Sequence, residues 1–257
     1  MILDDIVERK RLEVEASSRR YPLSLIEADL PHLPPPRDFL SAVEPRGRVK
    51  VIAEIKRASP SKGVIRENFN PTELAITLER AGASALSVLT DESFFKGSLC
   101  YLKDVRAVTG IPVLRKDFII TPYQVYEARL YGADAVLLIA SCLDVGLLDE
   151  LVGLVRSLGM EALVEVHNER ELDAALSAGA RIVGINNRDL QTFSVDMGVS
   201  VRLSRLVPED KVVVCESGVT QANIGEMKRH GLFVFLIGES LMRAEDPGKE
   251  LEAFLGS

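Results

Sequence analysis

From residue 50 onward, short continuous apolar runs alternate with longer stretches of helical periodicity. The runs fall at 51–55 (VIAEI), 85–89 (ALSVL), 111–115 (IPVLR), 135–140 (AVLLIA), 162–166 (ALVEV), 181–185 (RIVGI), 211–215 (KVVVC) and 234–238 (VFLIG), roughly 20–35 residues apart. Unbroken apolar runs of this length predict parallel strands covered on both faces, and the regular spacing predicts repeated strand–helix units. Between them, Leu74, Ala75, Leu78 and Ala81 recur at helical spacing, as do Leu147, Leu148, Leu151, Val152, Val155 and Leu158.

Punctuation agrees with that period. Asn70-Pro71-Thr72-Glu73 offers an N-cap, a proline at the first helical position and a capping-box glutamate. Thr121-Pro122-Tyr123-Gln124 repeats the device with glutamine, and Asn168 with Glu171 repeats it without proline. Gly82, Gly132, Gly159 and Gly179 sit where helix C-caps belong. Eight units predict an α/β fold, a (βα)8 TIM barrel over 48–257, and no first-turn GxGxxG favours an open doubly wound sheet. Residues 1–47 read as an N-terminal helical extension of one 1–257 domain, since they are too few for their own core. In it, Leu3, Ile6, Val7 and Val14 predict a helix whose apolar face is interrupted by Lys10, and Glu8-Arg9-Lys10-Arg11 reads as a solvated face. His32-Leu33-Pro34-Pro35-Pro36 reads as a rigid connector, and Phe39, Leu40 and Val43 as one more short helix.

Composition narrows the function. A length of 257 residues with 47% hydrophobic positions suits one such barrel. The net charge of −7 leaves no basic excess for a nucleic-acid partner, yet a locally basic pocket for an anion stays open. Cys100, Cys142 and Cys215 show no metal spacing and read as reduced thiols, so they suggest no metal site. The start, MILDDIVERK, is no signal peptide and no apolar run would span a membrane, so a cytoplasmic protein is expected; separately, a monomer or a weak homodimer is the expected assembly.

Polar residues break the strands at one end, the end where barrels of this kind carry their sites. Glu54 and Lys56 share a face of the first strand; Lys116 ends the third, Glu165 the fifth, Asn186 the sixth and Glu216 the seventh. Glu54, Lys116, Glu165 and Glu216 all come from odd strands, so they are expected in one ring at the mouth, with Lys56 above and Asn186 beside it. A purely structural ring would bury several charges at high cost without a task. The loops 216–219 (ESGV) and 238–240 (GES) lie where such barrels hold a phosphate on backbone N–H groups. Ser59-Pro60-Ser61-Lys62-Gly63 suits either a mobile loop over an anion or a plain surface turn. His167, just past the fifth strand, could line the mouth but reads first as a helix-entry residue, and Phe94-Phe95 reads as core cover or a wall for an aromatic substrate.

The segments 51–61 (VIAEIKRASPS), 87–90 (SVLT), 95–98 (FKGS), 114–118 (LRKDF), 163–166 (LVEV), 184–190 (GINNRDL), 216–218 (ESG) and 236–242 (LIGESLM) are similar, in order, to the motifs of the indole-3-glycerol phosphate synthase family. The resemblance covers essentially the whole chain. It implies a carboxy-lyase of tryptophan biosynthesis, without metal or organic cofactor. Such an enzyme closes the indole ring of a phosphorylated small molecule, 1-(2-carboxyphenylamino)-1-deoxyribulose 5-phosphate, with release of CO2 and water. Carried over, it implies Lys116 as general acid and Glu165 as acid/base partner. Lys56 would hold the substrate carboxylate or share the acid role, with Glu54 and Asn186 positioning. Glu216 and Ser217 would complete the aryl pocket, and Phe95, Arg188 and Ser59 would contact substrate. Ser59, Gly218, Gly238, Glu239 and Ser240 would surround the phosphate, with the Glu239 carboxylate turned outward. The rivals are a sugar-phosphate barrel enzyme such as a phosphoribosylanthranilate isomerase, which would want a Cys/Asp pair on opposite strands, and a non-catalytic phosphate-binding barrel.

Overall fold

The structure, a computed structural model, describes residues 2–189 and 192–256. Leu190, the last residue of the segment 184–190, lies outside the described residues. Eight parallel strands close into a barrel: β1 (Lys50–Ile55), β2 (Ala85–Leu89), β3 (Val113–Lys116), β4 (Ala135–Ile139), β5 (Glu161–Val166), β6 (Ile182–Asn186), β7 (Val212–Glu216) and β8 (Val234–Ile237). Each pairs in register with its sequence neighbours, and β8 returns to β1 through Val51↔Phe235 and Ala53↔Ile237. All eight apolar runs therefore became strands, with ends shifted by one or two residues; the third begins at Val113, after Pro112, which has no N–H to give a ladder.

Helices follow the strands as their caps direct. The N-terminal extension carries α1 (Ile2–Arg20), α2 (Leu23–Asp29) and α3 (Phe39–Val43). Around the barrel run α4 (Pro71–Arg80), α5 (Leu99–Val108), α6 (Pro122–Leu130), α7 (Val145–Ser157), α8 (Glu169–Ser177), α9 (Gly198–Leu203), α10 (Ile224–Arg229), α11 (Glu239–Arg243) and α12 (Pro247–Leu255). Asn70 caps α4 by accepting from the N–H groups of Thr72 and Glu73. Asn168 accepts from Glu171 N at 3.0 Å, while Glu171 reaches back one residue further than a standard capping box, to His167 N at 2.8 Å. At α6 the expected box gives way to another device. Thr121 makes no side-chain cap, and Gln124 folds back to accept from Ile120 N and to donate to Phe118 O. Gly82, Gly132, Gly159 and Gly179 all lie at φ between 76° and 97°.

Two apolar layers result. The larger lies between the sheet and the helices; the smaller fills the barrel with Ile52, Ala85, Leu114, Leu163, Val214 and Leu236, among others. Phe39 and Val43 of α3 are fully buried against this inner layer and stopper the end of the barrel where the strands begin. Full burial of a phenylalanine contributes about 2 kcal/mol, and Asp38 fixes the approach by capping Ser41 N at 2.9 Å. The connector before it is extended from Leu33, whereas His32 closes a 3-10 turn (Leu30–His32), a small departure from the expectation. Arg37 N donates to Asp134 and Arg129 donates to Pro34 O, so this segment is tied to the barrel floor. Among the described residues, no helix is long and apolar enough to cross a membrane.

Candidate active site

Alternation along β3 sends Lys116 into the barrel and its neighbours Arg115 and Asp117 outward. The same rule brings Glu54, Glu165, Asn186 and Glu216 inward, where register sets Glu165 beside Ile139 and Gly184, and Glu216 beside Asn186 and Leu236. A cavity of about 450 Å³ opens at this end of the strands. Every residue that the resemblance places at the site lines it: Glu54, Lys56, Lys116, Glu165, Asn186, Glu216 and Ser217, together with Ser59, Phe95, Arg188, Gly218, Gly238, Glu239 and Ser240.

Lys116 is the hub. Its Nζ lies 3.1 Å from Glu165 Oε2 and 2.9 Å from Glu216 Oε2. Asn186 Nδ2 donates to the other Glu165 oxygen at 3.0 Å, and its own Oδ1 accepts from Arg188 N. Lys56 is paired with Glu54 on the same face of β1. Burial opposes charge on Lys116, but the carboxylates of Glu216, Glu165 and Glu54 outweigh it and hold its pKa above the ordinary lysine value. Burial likewise opposes charge on Glu165, and there Lys116, His167 and Asn186 win, keeping it below the usual carboxylate range. Glu216 goes the other way. Burial, reinforced by Glu165 and Glu54, pushes it up to about 7 against the pull of Lys116, and its Oε1 is buried without a hydrogen-bond partner.

Two glycines make room for this ring. A Cβ on Gly184 would collide with Glu216 Oε1, and one on Gly238 would collide with Glu54 Oε2. Gly238 therefore has a reason beyond close approach of a ligand to the backbone: the Glu54 side chain occupies the space. The loop after β7 turns through two successive left-handed residues, Ser217 at φ 62° and Gly218 at φ 77°, the first a non-glycine and hence strained. Ser59, Pro60 and Ser61 lie on a short hairpin, Ala58–Ser59 paired with Gly63–Val64, that borders the cavity. Ser240 adds a buried hydroxyl with no partner.

Glu239 departs from expectation. Its carboxylate is 34% exposed and does not simply turn away. It pairs with Arg243 Nε at 3.0 Å and stands 3.9 Å from Arg188 and 4.0 Å from Lys62. Three cations thus gather at the loop after β8. Sequence reasoning missed Arg243, which lies one helical turn past Glu239 and lines the cavity, and also Phe118, Phe193, Leu3 and Ile6. The Phe95 and Phe118 rings stand 6.1 Å apart at 41°, a favourable tilted pair.

His167 enters α8 as expected and does not line the cavity. Its Nδ1 is 3.1 Å from Glu171 and its Nε2 is 3.5 Å from Glu165; burial opposes its protonation, and these carboxylates raise its pKa nonetheless. Cys215 faces the helix layer, within 3.3 Å of Asn187 Nδ2 and Ser200 Oγ, so the Cys/Asp pair of the isomerase reading is not built around it. The solvated-face reading of residues 8–11 fails at Lys10, which is 4% exposed and ion-paired to Asp91, Asp117 and Glu13. Among the described residues no group of three or more His, Cys, Asp or Glu side chains is arranged to hold a metal ion.

Comparison with known proteins places this geometry in context. The family model described as indole-3-glycerol phosphate synthase matches residues 3–254. A protein of that name from Aromatoleum aromaticum is 48% identical over 259 residues, covering 99% of both chains. Another from Carboxydothermus hydrogenoformans is 50% identical over 250 residues, covering 96% of this chain and 90% of the relative. Among solved structures, 3-hexulose-6-phosphate synthase from Salmonella typhimurium superposes with a TM-score of 0.66 at 13% identity, over 80% of this chain and 97% of that one. KGPDC from Streptococcus mutans gives 0.62 at 13%, over 80% and 95%. At such identities these structures show the shared barrel alone.

Proposed function

The chain belongs to the indole-3-glycerol phosphate synthase family, and from that premise we propose that it converts 1-(2-carboxyphenylamino)-1-deoxyribulose 5-phosphate into indole-3-glycerol phosphate, CO2 and water, as a carboxy-lyase. The observation that carries the reading is Lys116 held between Glu165 and Glu216 inside one cavity that also gathers cations and an aromatic pair.

The chemistry needs an acid first. As the aryl carbon attacks the ketone, the oxygen gains a proton from Lys116, whose surroundings keep it an ammonium. Loss of CO2 then leaves its electron pair to the ring and restores aromaticity. Dehydration needs a second proton on that hydroxyl, from Lys56 or from Lys116 once reprotonated. Water then leaves as Glu165, held ionised, takes a proton from the methylene carbon of the new ring. Lys56, tethered by Glu54, meets the substrate carboxylate or shares the acid role, and Asn186 orients Glu165. Glu216, near neutrality at about 7, is poised to release or take up a proton as the charge on Lys116 changes. Ser217 and Phe95 border the aryl group, with Arg188 also on the substrate. Ser59, Gly218, Gly238, Ser240 and the N–H groups of α11's first residues, aided by Arg243, meet the phosphate. An extended substrate must fold back on itself, so positioning contributes as much as proton transfer. Reading residues 1–257 as one unit is supported by α1, whose Ile6 and Lys10 are buried.

Mixing the protein with this substrate should produce indole absorbance and fluorescence against a low background, since the chain has no tryptophan. No product would remove the reading. Lys116→Ala should cut turnover by roughly 10³-fold or more with the fold retained by circular dichroism.

A further inference from the structure

The ammonium of Lys10 lies outside the cavity, and the proposed chemistry gives it no role. Lys10 shares a face of α1 with Leu3 and Ile6, which line the cavity. Its Nζ is 2.8 Å from Asp91 Oδ2, 2.8 Å from Asp117 Oδ1 and 2.7 Å from Glu13 Oε2. Each of the two aspartates organises a loop of its own. Asp91 Oδ1 accepts from Phe94 N and Phe95 N, and its carbonyl accepts from Gly97 N. Asp117 Oδ1 accepts from Phe118 N, while its Oδ2 accepts from Thr90 Oγ1 and Arg115. The loop after β2 thereby presents Phe95, and the loop after β3 presents Phe118. Among the described residues only Lys10 is ion-paired to both aspartates, and it comes from neither loop.

We propose that Lys10 is a positioning residue: by joining Asp91 to Asp117 it fixes the spacing of Phe95 and Phe118, so that the N-terminal helix sets the aromatic wall of the cavity. The inference rests on the proposed function for the identity of what that wall binds, an aryl group. Two buried carboxylates facing each other without the ammonium would repel and part, carrying the two rings with them. Burial opposes charge on Lys10, but Asp117 and Asp91 more than compensate and raise its pKa, so the tie persists across the neutral range.

Lys10→Met in the full chain tests this, with the activity-free readouts first. Amide hydrogen exchange should quicken in both loops, 91–97 and 117–121. Asp91→Asn, which leaves the Lys10–Asp117 pair, should quicken only 91–97, and Lys10→Arg should keep both slow. Titrated 2-aminobenzoate should bind K10M about tenfold more weakly, with inorganic phosphate binding unchanged. In the assay, KM for the carboxyanilino substrate should rise about tenfold, with kcat within about threefold, and K10R should recover most of the loss. Faster exchange confined to α1, or equal weakening of 2-aminobenzoate and phosphate, would overturn the proposal and leave Lys10 a stability residue. Failure of the wild type to make indole would sink the proposed function, while the exchange and 2-aminobenzoate data still decide on Lys10. Should K10M not fold, Lys10→Gln takes its place, with quickening in both loops expected and quickening confined to α1 overturning the proposal.

Discussion

Strand β3 separates two ion clusters built from the same residue types. On its outer side, Arg115 bridges Asp117 at 3.1 Å and Glu127 at 2.9 Å, and Lys10 closes the group. Asp117 is well supplied there: burial works against it, yet Arg115, Lys10 and Thr90 hold its carboxyl down to about 2. On the inner side, one ammonium is shared by Glu165 and Glu216, one Glu216 oxygen has no partner, and that carboxyl is driven up to about 7. Asp117 touches two cations and stays charged, whereas Glu216 touches one and is ready to exchange a proton. Burial and charge alone do not separate a structural network from a chemical one; the balance of partners does.

The sharpest test of that contrast is Glu165→Gln. Turnover should fall by roughly 10²–10⁴-fold, whereas urea unfolding should shift by no more than about 1 kcal/mol, because losing one carboxylate also relieves the repulsion on Glu216. Arg115→Met should behave in the opposite sense. It strands Glu127 as a buried charge without its partner, so stability should fall by roughly 3–5 kcal/mol, with turnover per folded molecule nearly unchanged. If the two variants lose stability equally, the contrast is wrong. The smallest effect concerns acid. Asp117 titrates lower folded than unfolded, so its contribution is present above the ordinary carboxylate pKa and is lost as pH falls through about 2. Wild-type stability should therefore decline by roughly 2 kcal/mol from this group between about pH 5 and pH 2. In Asp117→Asn that part of the acid slope should be missing from unfolding curves measured across the same range.

The barrel and its ring of charges were legible in the sequence because both follow from short-range periodicity. Eight apolar runs between capped helices leave few architectures, and period-two alternation decides which way Glu54, Lys116 and Glu216 point. Lys10 was not legible, although a signal existed: it falls on the face that Leu3 and Ile6 define. Set in a basic run, it reads as solvated unless its partners are known, and Asp91 and Asp117 lie far along the chain on separate loops. Gly238 shows the same limit. Its lack of a side chain was visible and read as room for phosphate, but a sequence does not say that Glu54 fills the gap. Gly184 stands in the same relation to Glu216 and drew no reading of its own beyond membership of the segment 184–190.

Phe39 and Val43, wedged under the strands, have a consequence for traffic. Above them the apolar side chains that fill the barrel leave no channel through it, so whatever enters the cavity must leave by the way it came. Under the proposed reaction, CO2, water and a bulky phosphorylated product share that passage, and the next substrate waits until it clears. Clearance is therefore a matter for the loops at the cavity's own rim, because packing has closed the opposite end.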